Sequence, residues 1–115
     1  MFKDSIDIDK GLGYLAGDKN IYIKIANIFI ESAEKKREEL KMFFEQEDFG
    51  RLVIEFHGLK SSSATIGSTL LPSFALELEK AGMKDDKEFI KENFDKFIAQ
   101  YEDTCKALKL AIGQL

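Results

Sequence analysis

The only histidine of the chain, His57, stands in the stretch Glu55-Phe-His-Gly-Leu-Lys-Ser-Ser-Ser-Ala-Thr-Ile-Gly-Ser68. Imidazole is the side chain whose charge changes near neutral pH, so at pH 7 it offers a neutral, nucleophilic ring nitrogen. Attack of that nitrogen on a phosphoryl group gives a phosphoramidate that can hand the group onward. Lys60, three residues later, is at the spacing that places its ammonium one turn away as a point-charge phosphate binder. The neighbours Gly58, Ser61, Ser62, Ala64 and Thr65 are too small to cover the ring. Glycine inside a helix is less favourable than alanine by about 1 kcal/mol, so Gly58 and Gly67 in what reads as one helix need a reason. Access to His57 is one. Close packing of helices, with the serines as plain surface, is the other.

These residues need a helix to hold them. The positions Leu52, Phe56, Leu59, Ser63, Ile66 and Leu70 step by fours and threes, the period of a helix face turned to a core, and Asp48 is placed to start it. At about 100° per residue, His57 falls about 140° from the centre of that seam and faces outward. Val53 and Ile54 precede it by one turn on the outer side and give apolar surface suited to docking a partner.

Four other helical pieces surround this one. Asp9 is read as the cap of a short first helix carrying Leu12 and Leu15 and stopped by Gly17. Asp18 caps a long second helix whose face runs Tyr22, Ile25, Phe29, Ala33, Lys36, Leu40 and Phe43, with Lys36 the one polar break. Its Glu31, Glu34, Lys35, Arg37, Glu38 and Glu39 form a solvated charged side. Pro72 suits the first turn of a fourth helix faced by Phe74, Leu78 and Ala81 and ended by Gly82. A last helix opens with Asp85-x-x-Glu88 and carries Ile90, Phe94, Phe97, Tyr101, Cys105, Leu108 and Ile112. Short turns between such helices force antiparallel neighbours. The fold expected is all-α, an antiparallel up-down-up-down four-helix bundle with a short extra N-terminal helix, over a single domain 1–115.

Composition bounds the function. A chain of 115 residues that is 44% hydrophobic with ten phenylalanines is expected to fold around one core. The net charge of −4, with both signs interleaved, lacks the basic stripe that nucleic acid or anionic lipid would require. Cys105 is alone, which excludes an internal disulfide, suits a reducing compartment and points to core packing. The start Met1-Phe-Lys-Asp-Ser-Ile-Asp7 turns acidic before any apolar region develops, so a cytoplasmic location and no membrane partner are expected. A di-metal bundle is disfavoured because Ile54 stands where a glutamate three residues before His57 would be needed. Gly11-Leu-Gly13 is too isolated for a nucleotide-binding loop. No cysteine or carboxylate lies at a sequence spacing that would orient His57 for hydrolysis.

The residues His57-Gly58-Leu59-Lys60-Ser61-Ser62-Ser63, with Gly67 ten positions after the histidine, resemble the H-x-L-K-G-[SA]-[SA]-x-x-x-G signature of histidine phosphotransfer (HPt) domains. Asp48-Phe49 is similar to the D-[WF] opening of that family's central helix, and Leu76-Glu77-Leu78-Glu79 to its A-x-x-L-E segment. Asp9 to Asp18 and Tyr22 resemble its N-terminal pattern, so the likeness covers about the whole chain. Ser61 departs from the usual glycine, and Phe56 from a frequent alanine. The resemblance implies that His57 is the phosphoryl acceptor and donor, that Lys60 assists by charge and that Gly67 leaves room nearby. Gly58, Ser61 and Ala64 are read as the residues that govern access to the ring, with Ser61 placed one turn away to narrow it or to offer a hydroxyl. It implies a freestanding phosphorelay carrier, without kinase activity of its own, working between aspartates of receiver domains in response regulators or hybrid histidine kinases. No cofactor is expected in this chain; the receiver is expected to supply Mg²⁺. A monomer is expected, since there is no second helical hairpin for dimerisation. The alternative is a helical adaptor or anti-regulator that docks receiver domains without phosphotransfer.

Overall fold

Aspartates set most of the helix starts. In the computed structural model, which describes residues 3–115 and so leaves Met1 and Phe2 outside it, five helices follow one another: α1 (Ile8–Gly13), α2 (Lys19–Glu45), α3 (Phe49–Thr65), α4 (Leu71–Met83) and α5 (Lys87–Gly113). Asp7, Asp18, Asp48 and Asp86 each accept a hydrogen bond from the backbone N–H three residues on, at 3.1 to 3.2 Å, satisfying a donor that the first helical turn leaves free. Asp18 and Asp48 are the caps the sequence predicts. Asp7 replaces Asp9 at α1, and Asp86 replaces Asp85 at α5. Asp85 takes a left-handed φ of 61° just beyond α4, so it helps to end one helix while its neighbour starts the next.

Two glycines sit differently from their sequence reading. Gly67 is outside α3, not within it: α3 stops at Thr65 and Gly67 turns the chain with φ 85°, the conformation that favours glycine after a helix end. The seam therefore ends at Ile66, and Leu70 belongs to the start of α4. Gly82 lies inside α4 and does not terminate it; a Cβ there would collide with the Val53 side chain of α3.

The helices bury one continuous core. Tyr22, Ala26, Phe29, Ala33, Leu40 and Phe43 line it from α2, with Ala26 the buried position and Ile25 half-buried beside it. Leu52, Phe56, Leu59 and Ser63 contribute from α3, and Leu71, Ala75, Leu78 and Ala81 from α4. From α5 come Ile90, Phe94, Phe97, Tyr101, Cys105 and Leu108. Phe56 and Phe74 both meet Phe97 edge-on, with centroids 5.2 and 5.4 Å away, an arrangement favoured by the ring quadrupoles. Cys105 is buried and its thiol is pushed up to about 11 by burial, which leaves it unreactive at neutral pH. The result is an all-α helical bundle; among the described residues the only bridge of β type is the isolated pair Ile6 and Ser68.

That bridge belongs to an N-terminal segment laid across the α3–α4 turn. Asp7 N–H donates to the Gly67 carbonyl at 2.8 Å and Thr69 N–H to the Ser5 carbonyl at 3.1 Å. Asp4, only 8% exposed, accepts from Ser68 Oγ, Thr104 Oγ1, Thr69 Oγ1 and the backbone N–H groups of Thr69 and Leu70. The first N–H of α4, that of Leu71, donates to Ser68 Oγ at 3.1 Å, and Asp4 holds that hydroxyl in place while taking the Thr69 and Leu70 N–H groups just before the helix.

Candidate functional site

Because α3 buries Leu52, Phe56 and Leu59, it must turn His57 away from the core, and the imidazole is 64% exposed. The ring is nevertheless held. Its Nδ1 lies 2.5 Å from Oε2 of Glu79, a residue of α4 that is itself buried. The carboxylate can only accept, so Nδ1 carries the proton and donates it. That tautomer leaves Nε2, on the far edge of the ring, with a free lone pair toward solvent.

Lys60 completes the cluster from one turn further along α3. Its Nζ donates to the other oxygen, Glu79 Oε1, at 2.8 Å and lies 3.4 Å from His57 Nδ1. Lys60 is half-buried, folded back onto α4. The Lys60 ammonium is the main reason that the Glu79 carboxyl is held below the usual carboxylate range; burial opposes this, and His57 adds to it. Glu79 thus stays ionised at neutral pH and binds both residues of the motif at once.

Glu79 is the residue of this cluster that reading by spacing missed. It is 22 residues from His57, so no i to i+3 or i+4 rule connects them. The signal was present in the segment Ala75-Leu-Glu-Leu-Glu79, where a carboxylate follows directly on the buried Leu78 of the core face of α4. A charged side chain at such a position is buried only when paired.

The other expected site residues divide. Gly58 is exposed, and a Cβ built on it meets nothing within 4 Å, so helix packing does not require glycine there. Ser61 is exposed on the same helix. Ala64 is half-buried two turns beyond His57, in a surface pocket shared with Asp7, Lys10 and Gly67. Gly67 is buried, and the room that its missing side chain leaves is filled by the Asp7 backbone rather than opened to the imidazole. Val53 is half-buried against Gly82, whereas Ile54 is 64% exposed. The structure therefore offers one of the two apolar residues freely to a partner. Among the described residues no group of three or more histidine, cysteine, aspartate or glutamate side chains is arranged to hold a metal.

The Hpt domain family matches residues 24–115, which is well over half of the chain. The chain belongs to the Hpt domain family. An Hpt domain has a phosphotransfer role in phosphorelays, and receiver domains are the partners of such domains. No curated protein and no solved structure matches the chain. No helix among the described residues is long and apolar enough to cross a membrane.

Proposed function

We propose that this Hpt domain carries a phosphoryl group on Nε2 of His57, accepting it from the aspartate of one receiver domain and passing it to the aspartate of another. The observation that carries this reading is the contact between His57 Nδ1 and the buried Glu79, which fixes the tautomer and leaves Nε2 outward.

In the forward step the Nε2 lone pair attacks phosphorus while the bond from phosphorus to the aspartyl oxygen breaks, the aspartate leaving with the electron pair. The ring then carries a positive charge shared with Nδ1–H, and Glu79 offsets it across the 2.5 Å hydrogen bond. Lys60 stands beside the ring and turns part of its charge to the phosphoryl oxygens. The return step reverses these bonds. The receiver supplies Mg²⁺ and the acidic pocket; the Hpt domain supplies nucleophile, orientation and one cation. Gly58, Ser61 and Ala64 keep bulk from the approach, and Ile54 docks the receiver with Val53 supporting it from below.

The test is to mix the protein with a receiver domain charged with labelled phosphate. Label is expected on His57, lost in acid and stable in base, and absent from His57→Gln. Acid-stable label, or label on His57→Gln, would place the carrier elsewhere. Receiver binding with no transfer at all would favour the adaptor reading instead.

A further inference from the structure

Ser61, Ser62, Ser63 and Thr65 place hydroxyls along the second half of α3, and all but one are committed to the helix itself. Ser62 donates to the Leu59 carbonyl at 3.4 Å, Ser63 to the same carbonyl at 2.5 Å, and Thr65 to the Ser61 carbonyl at 3.0 Å. Bonds of this kind to the preceding turn are a common use of serine and threonine within a helix. Ser61 differs. It is exposed, and its hydroxyl has no hydrogen-bond partner among the described residues.

The His57 ring sets what that hydroxyl can reach. Nδ1 points to α4, where Glu79 Oε2 lies 2.5 Å away, and Lys60 folds back to the same side. Nε2 lies across the ring from Nδ1 and so away from α4. At about 100° per residue, Lys60 falls about 60° to the α4 side of His57, whereas Ser61 falls about 40° to the other side, one turn along. Within a turn of His57 on that other side, Ile54 is apolar and Gly58 has no side chain, so Ser61 holds the one side-chain donor there. Side chains of a helix lean toward its N-terminus, which tips Ser61 over the turn that carries His57.

We propose that the Ser61 hydroxyl donates a hydrogen bond to a phosphoryl oxygen when Nε2 of His57 is phosphorylated, and so stabilises the loaded state. This role rests on the phosphotransfer reading and extends it: Lys60 meets the phosphoryl group from the α4 side and Ser61 from the other. Serine is small enough to leave a receiver its approach, and unlike glycine it brings a donor. A hydrogen bond to an ionised acceptor is stronger than one between neutral groups, and a donor that favours the dianion lowers the pKa of the phosphoryl group.

The experiment loads the full chain with phosphoramidate, a chemical donor that needs no receiver, and follows the phosphohistidine signal by phosphorus NMR through a pH titration. His57 is the only histidine, so one signal reports the site. In Ser61→Ala and in Ser61→Gly the titration midpoint should rise by about 0.5 or more, equivalent to an about threefold weaker preference for the dianion. The charges of Lys60 and Glu79 are the same in all three proteins, so the difference isolates the hydroxyl. Ser61 is exposed and alanine is the better helix former, so Ser61→Ala should melt no lower than the parent, and its shifted midpoint cannot be ascribed to misfolding. An unchanged midpoint in Ser61→Ala would overturn the proposal. So would a change confined to Ser61→Gly, which would mark Ser61 as bulk beside the ring rather than a donor. The comparison involves no receiver, so its result stands apart from the transfer assay that tests the phosphotransfer reading.

Discussion

Glu79 is a buried carboxylate between the Lys60 ammonium and the His57 Nδ1–H, and its behaviour with pH follows from that position. Its carboxyl is held below the ordinary value of 4.5, chiefly by the Lys60 ammonium. A group whose pKa is depressed on folding adds stability above its unfolded pKa and loses it as pH falls through the folded one. Glu79→Gln should therefore be less stable than the parent by a constant margin from pH 7 down to about 5. That margin should shrink as pH drops further, read from urea denaturation at a series of pH values. The same variant keeps an acceptor for Nδ1–H but loses the charge that offsets the phosphorylated ring. Transfer to His57 should slow by about tenfold or more, since charge-assisted hydrogen bonds are roughly twice as strong as neutral ones and orientation errors are expensive in rate. A normal rate in Glu79→Gln would show that His57 reacts without its help.

At the scale of the element, α3 contains a residue that lowers its own stability. Gly58 sits mid-helix with open space where a Cβ would be. Gly58→Ala should raise stability by about 1 kcal/mol through helix propensity alone, seen as a higher denaturation midpoint. The same methyl next to His57 should slow phosphotransfer at least several-fold in a single-turnover assay with a charged receiver domain. A variant that is both more stable and equally fast would mean that glycine here serves neither packing nor access. Gly67 is the opposite case: its left-handed φ and its contact with the Asp7 backbone make any side chain there strained.

For the whole molecule, Asp4 joins parts of the chain that are far apart in sequence. Its carboxylate receives Ser68, Thr69 and Leu70 from the α3–α4 turn and Thr104 from α5, at separations of 64 to 100 residues. Asp4→Ala leaves the buried Ser68 hydroxyl and the Leu70 N–H without an acceptor, while Thr104 keeps the Gln100 carbonyl at 3.0 Å. Each buried orphan costs about 1–3 kcal/mol. The melting temperature should fall by about 10 °C or more, given about 4–8 °C per kcal/mol for a domain of this size. An unchanged melt by circular dichroism would mean that the N-terminal segment is not part of the cooperative fold.

The amino-acid sequence by itself determined what depends on neighbours along a helix. The stripes of α2, α3 and α5, the all-α fold, the outward direction of His57 and its one-turn spacing to Lys60 follow from a period of about 3.6 residues, which is a property of local backbone geometry. The caps were legible to within two residues. Several aspartates can cap, and only the path of the backbone into each helix decides whether Asp7 or Asp9, Asp86 or Asp85, does so. What spacing does not encode is which helix faces which. The pairing of His57 with Glu79 needs α4 packed beside α3, and the Asp4 network needs the N-terminal segment laid over the turn. Those relations arise when the buried faces are fitted together, so only the tertiary structure decided them.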